Sequence, residues 1–351
     1  MTFRNKIRYL ILLSFLLRLI VAATTELGND EVYYYTYALH LQWNYFDHPP
    51  GVALLILTSS LNLLFTHELF VRLGAIVCAA IGTALCYAIG KKIRNERTGW
   101  YAAVLYNTSL YTSIIAGTFI LPDSPQVVCW LAGLFLGIKM IQQFNNNMRV
   151  SIAQWLLFGV INGLCIQCKI HGVFLWFGLG LYILFYARKV LSQPGLYLSF
   201  LLTLLIISPI IYWNINNHFI TFTYHSNRLE VHHFSINFNS FLQAFFGQIF
   251  YNNPVNVFLT IVALFLYKTK RYLPLPFYRM LLLTGLPIIV VVVLLSFFNP
   301  VLPHWSGPGF LSLSFIAAAY LDARVDAYRF SLPAILKSSM VLILIVVIGG
   351  M

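Results

Sequence analysis

Long apolar stretches recur along the whole chain, and short polar segments separate them. Many of these stretches reach the roughly 20 residues that a helix needs to cross a bilayer. Because a spanning segment in lipid must satisfy its own backbone polar groups, the stretches are predicted to be helices. The pattern therefore predicts an all-α fold, a polytopic transmembrane helix bundle with about 11 membrane helices. The predicted membrane helices are Tyr9–Ala23, Leu69–Gly90, Trp100–Phe119, Pro125–Gln142, Ile152–Cys168, Gly172–Tyr186, Leu196–Trp213, Pro254–Tyr267, Arg279–Phe298, Trp305–Leu321 and Pro333–Gly350.

Two segments between these helices have a different character. Residues Gly51–Phe65 are apolar but short for a span, and they follow Pro49 and Pro50 directly. We expect them to form an interfacial or re-entrant helix in the first outer loop. Residues Asn214–Asn253 are predicted to be a long polar loop. No internal repeat divides the chain, so residues 1–351 are predicted to form a single domain, without a separate soluble domain.

The charged residues set the predicted topology. Only 9% of the chain is charged, against roughly 25% in a soluble domain. Of its 22 Lys and Arg residues, 18 lie on the predicted cytoplasmic side, as the positive-inside rule expects. The net charge of +12 therefore reflects topology and does not indicate nucleic-acid binding. The four basic residues on or near the outer side are Arg18, Arg72, Lys169 and Arg228.

Acidic residues gather on the outer side, and three of them are candidates for catalysis. Asp30 and Glu31 follow the first membrane helix, where a lowered dielectric makes a carboxylate a better proton acceptor. Adjacent side chains on a helix do not share a face, so the two acids are expected to differ in role. Asp123 precedes the fourth predicted helix, where it is equally explained as an N-cap.

Basic and aromatic residues on the same side are candidates for binding a substrate. A cation at an outer membrane turn suits a phosphate, although snorkelling to the headgroups explains it as well. Aromatic rings could stack on a sugar, but an interfacial aromatic belt is the favoured explanation. A structural role is also favoured for His304. The candidate substrate-binding residues are His48, Arg72, Lys169, His171, Arg228, Tyr33, Tyr45 and His304.

The cysteines point to no metal or redox centre. Cys165 and Cys168 have the spacing of such a motif, but no second cysteine pair follows. A structural role is therefore favoured, and no metal ligand is predicted.

Several short motifs occur in an order that resembles the C-type, lipid-phosphate-sugar-dependent glycosyltransferases. This group includes the protein O-mannosyltransferases and the aminoarabinose-lipid A transferases. The match covers roughly residues 1–325, and His48 stands where some relatives carry Lys. The matching segments are Asp30-Glu31, His48-Pro49-Pro50, Glu68 to Arg72, Pro122-Asp123, Cys168-Lys169, Trp213-Asn214 with Asn217-His218, and Pro303-His304-Trp305.

The resemblance implies an activity and a location. The donor would be a polyprenyl phosphate sugar, and the acceptor a hydroxyl or phosphate on a lipid, glycan or protein. Asp30 would deprotonate the acceptor, and the sugar would transfer with inversion. No cofactor is implied, although a divalent metal stays open. The protein would lie in the bacterial inner (plasma) membrane with its active site facing outward.

A non-catalytic membrane transporter or lipid-binding protein is the alternative function. Many helices and buried charges suit a transporter too. We favour the transferase because the chain shows no inverted repeat and no acid in the middle of a helix for ion coupling.

Overall fold

A computed structural model describes residues 2–229, 236–324 and 332–349, apart from the side chains of residues 227–229. These residues form helices joined by short turns. The helices are α1 (Phe3–Thr24), α2 (Asn29–Leu39), α3 (Gly51–Ser59), α4 (Glu68–Ile93), α5 (Glu96–Thr108), α6 (Asp123–Asn145), α7 (Ile152–Cys168), α8 (Val173–Tyr186), α9 (Pro194–Asn216), α10 (Ile220–Leu229), α11 (Phe238–Tyr251), α12 (Pro254–Lys270), α13 (Leu275–Ser296), α14 (Gly307–Arg324) and α15 (Ala334–Gly349).

The long apolar helices form the bundle that the sequence predicts. Within the described residues, five helices are long and apolar enough to cross a membrane, namely α1, α4, α6, α9 and α13. The count is six if α11 and α12, which meet at a bend of 94°, form one broken span. The all-α transmembrane fold is thus confirmed, while the number of about 11 membrane helices stays a prediction.

Close backbone contacts hold neighbouring helices together. At Gly159 of α7, an added Cβ atom would lie 2.4 Å from the backbone oxygen of Ser199 in α9. Only a residue without a side chain allows this approach, which is the usual role of small residues between membrane helices. Near the end of α7, just before the turn that carries Lys169, the side-chain amide of Gln167 donates to the backbone oxygen of Ile206 in α9 at 2.7 Å.

The segment between α2 and α4 contains a short helix that does not cross the bundle. Helix α3 has nine residues, and at 1.5 Å per residue it is only about 14 Å long. Leu61, Asn62 and Leu63 then adopt left-handed backbone angles, with φ between 50° and 64°. This reversal returns the chain to α4, and the interfacial or re-entrant position of α3 in the membrane stays a prediction.

Two predicted segments differ from the structure. The predicted helix Trp100–Phe119 is interrupted, because α5 ends at Thr108 and a π-helical turn occupies Tyr111–Ile115. The predicted polar loop Asn214–Asn253 contains α10 and α11. The buried face of α11 consists of Ser240, Ala244 and Gln248. Phe241 also contacts the bundle, because it stacks on Phe297 with ring centroids 4.2 Å apart.

The opposite end of α4 carries a buried ionic cluster. Asp322 is 1% exposed, and both Arg94 and Arg97 donate to its carboxylate through Nε. The amide of Asn95 donates to the same carboxylate at 2.7 Å. These groups lie at the end of α4 that is remote from Arg72, which is the basic end of the predicted topology.

Candidate functional site

A cavity of about 510 Å³ opens where α2, α10 and α13 meet the turns before α6, α8 and α14. One wall is apolar and includes Ile288, Val292 and Leu295 of α13. The other walls carry most of the polar groups singled out from the sequence. The ionisable side chains that line the cavity are Asp30, Tyr33, Tyr34, Asp47, His48, Asp123, Lys169, His171, Tyr224, His225 and His304.

Asp30 presents an available carboxylate to this cavity. It is the second residue of α2, and its side chain is exposed. Within the described part of the chain, it has neither a hydrogen bond nor an ion pair. A carboxylate with free lone pairs at the cavity wall is able to accept a proton from a bound hydroxyl group.

Its neighbour Glu31 does not line the cavity, and each of its carboxylate oxygens accepts two hydrogen bonds. Its oxygen atoms accept from Arg72 Nε at 2.7 Å and from Arg72 Nη2 at 2.6 Å. They also accept from the backbone N–H of Gly28 at 2.9 Å and of Ile120 at 3.0 Å. The Gly28 contact caps α2, and the Ile120 contact ties α2 to the turn before α6. The structure therefore gives the two adjacent acids different surroundings.

Arg72 does not line the cavity, contrary to the expectation that it binds phosphate. It is 1% exposed and is clamped by Glu31. Its remaining donors reach the backbone oxygens of Thr25 and Glu26 at the end of α1, each at 2.7 Å. The N–H groups of the guanidinium donate to protein acceptors, and these hydrogen bonds join α4 to α1 and α2.

Asp123 and Lys169 form a buried ion pair beside the cavity. Lys169 Nζ donates to Asp123 Oδ2 at 2.7 Å, and the two side chains are 2% and 3% exposed. The hydroxyl of Tyr111 donates to the other carboxylate oxygen at 3.0 Å. Asp123 stands at the start of α6, and Lys169 follows the end of α7. The pair fixes an ammonium group at the cavity wall.

The histidines identified in the sequence gather around this pair. His48 follows α2, while His171 and His304 lie in the turns before α8 and α14. The Nδ1 atoms of His48 and His171 are buried and have no hydrogen-bond partner in the described structure. Burial, and next Lys169, hold the pKa of His48 well below its ordinary value. The same causes lower the pKa of His304 to about 4, so both rings are neutral at pH 7.

Tyrosines surround the Asp47 carboxylate at the rim. The hydroxyl of Tyr33 donates to it at 3.1 Å, and the hydroxyl of Tyr37 makes a shorter bond to the same oxygen. Burial, and next Asp47, raise the pKa of Tyr37 far above its ordinary value. Tyr45, a candidate for stacking on a sugar, is instead 6% exposed and stacks on Tyr37 with centroids 3.6 Å apart. Its face is covered, so it does not line the cavity.

Several residues that line the cavity were given no role from the sequence, among them Asp47, His225 and Trp305. Asp47 directly precedes the quoted His48-Pro49-Pro50 motif and Trp305 ends another, yet nothing in their spacing indicated that they face the site. His225 comes from α10, inside the segment predicted to be a loop, and its Nε2 lies 2.9 Å from the backbone oxygen of Asp47. The side chain of Arg228 lies outside the described residues.

The described residues contain no group of three or more His, Cys, Asp or Glu side chains placed to hold a metal ion. Cys165 and Cys168 are buried free thiols in α7.

Comparisons with known proteins bear on this fold and site. Residues 47–213 match the family model described as dolichyl-phosphate-mannose-protein mannosyltransferase. This region holds the cavity residues from Asp47 to His171. No match was found among curated protein sequences.

Solved structures share the fold over nearly the whole chain. ArnT from Cupriavidus metallidurans, in the apo state and bound to undecaprenyl phosphate, aligns with a TM-score of 0.66 and 17% identity. The alignment covers 99% of this chain and 64% of ArnT. The archaeal oligosaccharyltransferase AglB from Archaeoglobus fulgidus, in complex with an inhibitory peptide and a dolichol-phosphate, aligns with a TM-score of 0.52 and 13% identity. That alignment covers 99% of this chain and 55% of AglB.

The chain is therefore an integral, multi-pass membrane protein with the fold of ArnT and AglB. The resemblance to the lipid-phosphate-sugar-dependent glycosyltransferases that its motifs indicate is confirmed by the mannosyltransferase family model and by this shared fold.

Proposed function

We propose that the protein is an inverting glycosyltransferase that moves a sugar from a polyprenyl phosphate to a hydroxyl or phosphate acceptor. The reaction would take place on the outer face of a bacterial inner membrane. The observation that carries this proposal is the Asp30 carboxylate, unpaired among the described residues, in one cavity with the Lys169–Asp123 ion pair and an apolar wall. The structures of ArnT bound to undecaprenyl phosphate and of AglB with a dolichol-phosphate support a lipid phosphate as the ligand.

Asp30 acts as the general base in this proposal. It accepts the proton of the acceptor hydroxyl, whose oxygen then attacks the anomeric carbon of the sugar. The new bond joins that oxygen to the anomeric carbon, while the bond from the anomeric carbon to the phosphate oxygen breaks. The electron pair leaves with the lipid phosphate. Attack opposite the leaving group inverts the anomeric configuration.

The remaining cavity groups receive the donor. The apolar wall of α13 suits the first isoprene units of a polyprenyl chain. Lys169, held beside the cavity by Asp123, supplies positive charge to the phosphate. Tyr33 lies at the rim with 39% of its surface exposed, where an aromatic ring can stack on a sugar.

Product analysis with the purified protein tests the proposal. A panel of polyprenyl phosphate sugars is incubated with the full chain and candidate lipid, glycan and protein acceptors, and the products are identified by mass spectrometry. We expect one donor to lose its sugar and to leave the free polyprenyl phosphate. Solute flux in reconstituted vesicles, with no transfer from any donor, would instead support the transporter function.

A further inference from the structure

Four imidazoles face the same cavity, those of His48, His171, His225 and His304. They come from four separate parts of the chain, and the ring centroids of His48 and His225 are 6.4 Å apart. Buried polar atoms normally have a hydrogen-bond partner. The buried Nδ1 atoms of His48 and His171 have none in the described structure, so they are available to a ligand.

The cavity is negatively charged when these histidines are neutral. The carboxylates of Asp30, Asp47 and Asp123 line it. Among the lining side chains that the structure describes, Lys169 is the one Lys or Arg, which leaves a formal charge of −2. The Lys169 ammonium is already paired with Asp123. An anion that enters such a cavity is repelled unless further positive charge appears there.

We propose that phosphate binding in this cavity is coupled to proton uptake by His48, His171 and His304. The inference rests on the proposed function, because it concerns the lipid phosphate of that site. An imidazolium ion donates through both of its nitrogen atoms. Protonation therefore turns the unpartnered Nδ1 atoms of His48 and His171 into charge-assisted donors for phosphate oxygens.

The groups that face His48 explain why an anion is needed for this protonation. Burial and Lys169 disfavour the charged ring, Asp123 favours it, and His225 and His304 oppose it weakly. The ring of His48 also packs against the ring of Tyr34 in α2, with the ring centroids 5.8 Å apart. A negative charge in contact raises the pKa of an imidazole, generally by about 1–3. For His304, whose pKa is about 4, this places the pKa in the complex at about 5–7.

The sign of the pH dependence follows from this rise. Because the pKa is higher in the complex than in the free protein, proton uptake strengthens binding at low pH. The gain is fully present below the pKa of the free protein. It is lost as the pH rises through the pKa of the complex.

Binding of a phosphodiester at several pH values tests the proposal. Methyl farnesyl phosphate carries one negative charge that does not titrate between pH 5.5 and 7.5, and farnesol is the neutral control. The full chain is used in detergent with EDTA. We expect it to bind the diester about fourfold more tightly at pH 5.5 than at pH 7.5. This ratio holds for the uptake of one proton by a group whose pKa is about 6 in the complex. Farnesol binding should not change. Each of the three variants H48Q, H171Q and H304Q should reduce the change of diester affinity between pH 5.5 and pH 7.5.

His40 offers a matched control, because it is exposed and does not line the cavity. H40Q should keep the full pH dependence. The wild-type profile decides the question even if a cavity variant fails to fold, since a diester affinity that does not change with pH overturns the proposal. A pH dependence that survives in all three cavity variants would place the proton on another lining group, His225 or a carboxylate, and would also overturn the proposal.

Two further outcomes separate this inference from the proposed function. A pH-independent affinity that falls in R228A would show that Arg228 supplies the charge, which overturns proton uptake and leaves the transferase proposal standing. A diester that binds no more tightly than farnesol at any pH would overturn both.

Discussion

The buried pair of Glu31 and Arg72 gives a sharp prediction about stability. Glu31→Gln keeps the size and shape of the side chain but removes its charge. The guanidinium of Arg72 is 1% exposed and would then be left as an uncompensated buried cation. Removing one partner of a buried pair costs about 3–5 kcal/mol. At about 2 °C per kcal/mol, the low end of the range for chains of about 150–250 residues, the melting temperature should fall by roughly 6–10 °C.

Thermal unfolding of the purified variants in detergent measures this effect. Asp30→Asn is the matched control, because it changes the adjacent acid, which is exposed and unpaired in the described structure. Its melting temperature should stay within about 1 °C of wild type, as expected for a surface substitution of under 0.5 kcal/mol. Replacing both Glu31 and Arg72 by Gln should recover part of the loss, since no charge is left unpaired. A wild-type melting temperature for Glu31→Gln would refute the structural role of the pair.

Three further predictions concern the ammonium group, the helix packing and the topology. Lys169→Ala should weaken binding of a polyprenyl phosphate by about ten- to a hundredfold, the value of a charge-assisted contact; unchanged affinity in a direct binding assay would leave Lys169 with its ion pair to Asp123 as its role. Gly159→Leu should lower the melting temperature, because its Cβ would meet the backbone of α9, whereas Gly180→Leu, with no atom within 4 Å of an added Cβ, should not. Reporter fusions after Arg94, Arg188 and Arg271 should report a cytoplasmic position, and fusions within residues 214–253 an outer one; an outer signal at Arg94 would contradict the predicted topology.

Apolar stretches predicted the long helices well because lipid leaves the backbone few alternatives. The shortness of α3 could also be anticipated, since the apolar segment Gly51–Phe65 is short for a full span. The break after Thr108 could not, because an apolar stretch looks the same whether its helix is continuous or interrupted by a π-helical turn. Helix α11 was missed because Asn239, Gln243 and Gln248 interrupt its apolar residues, which lowers the mean hydropathy of the segment.

The candidate site was predictable where an ionisable residue had no simple structural partner nearby in sequence. Asp30, Lys169 and His171 are residues of this kind, and all three line the cavity. Arg72 looked equivalent in the sequence, but its partners come from the end of α1 and from α2. Contacts between residues distant along the chain cannot be deduced from one sequence. The same reason explains why Asp47 was given no role.

The central claim is that Asp30 is the base of a sugar transfer, and one comparison tests it most directly. Transfer from the active polyprenyl phosphate sugar is measured for wild type and for Asp30→Asn, together with donor affinity and melting temperature. Asn keeps the shape of the side chain but cannot take a proton. We predict unchanged affinity and stability, and transfer lower by at least about 10²-fold, the low end for losing a positioned general base. Full transfer activity in Asp30→Asn would contradict the mechanism.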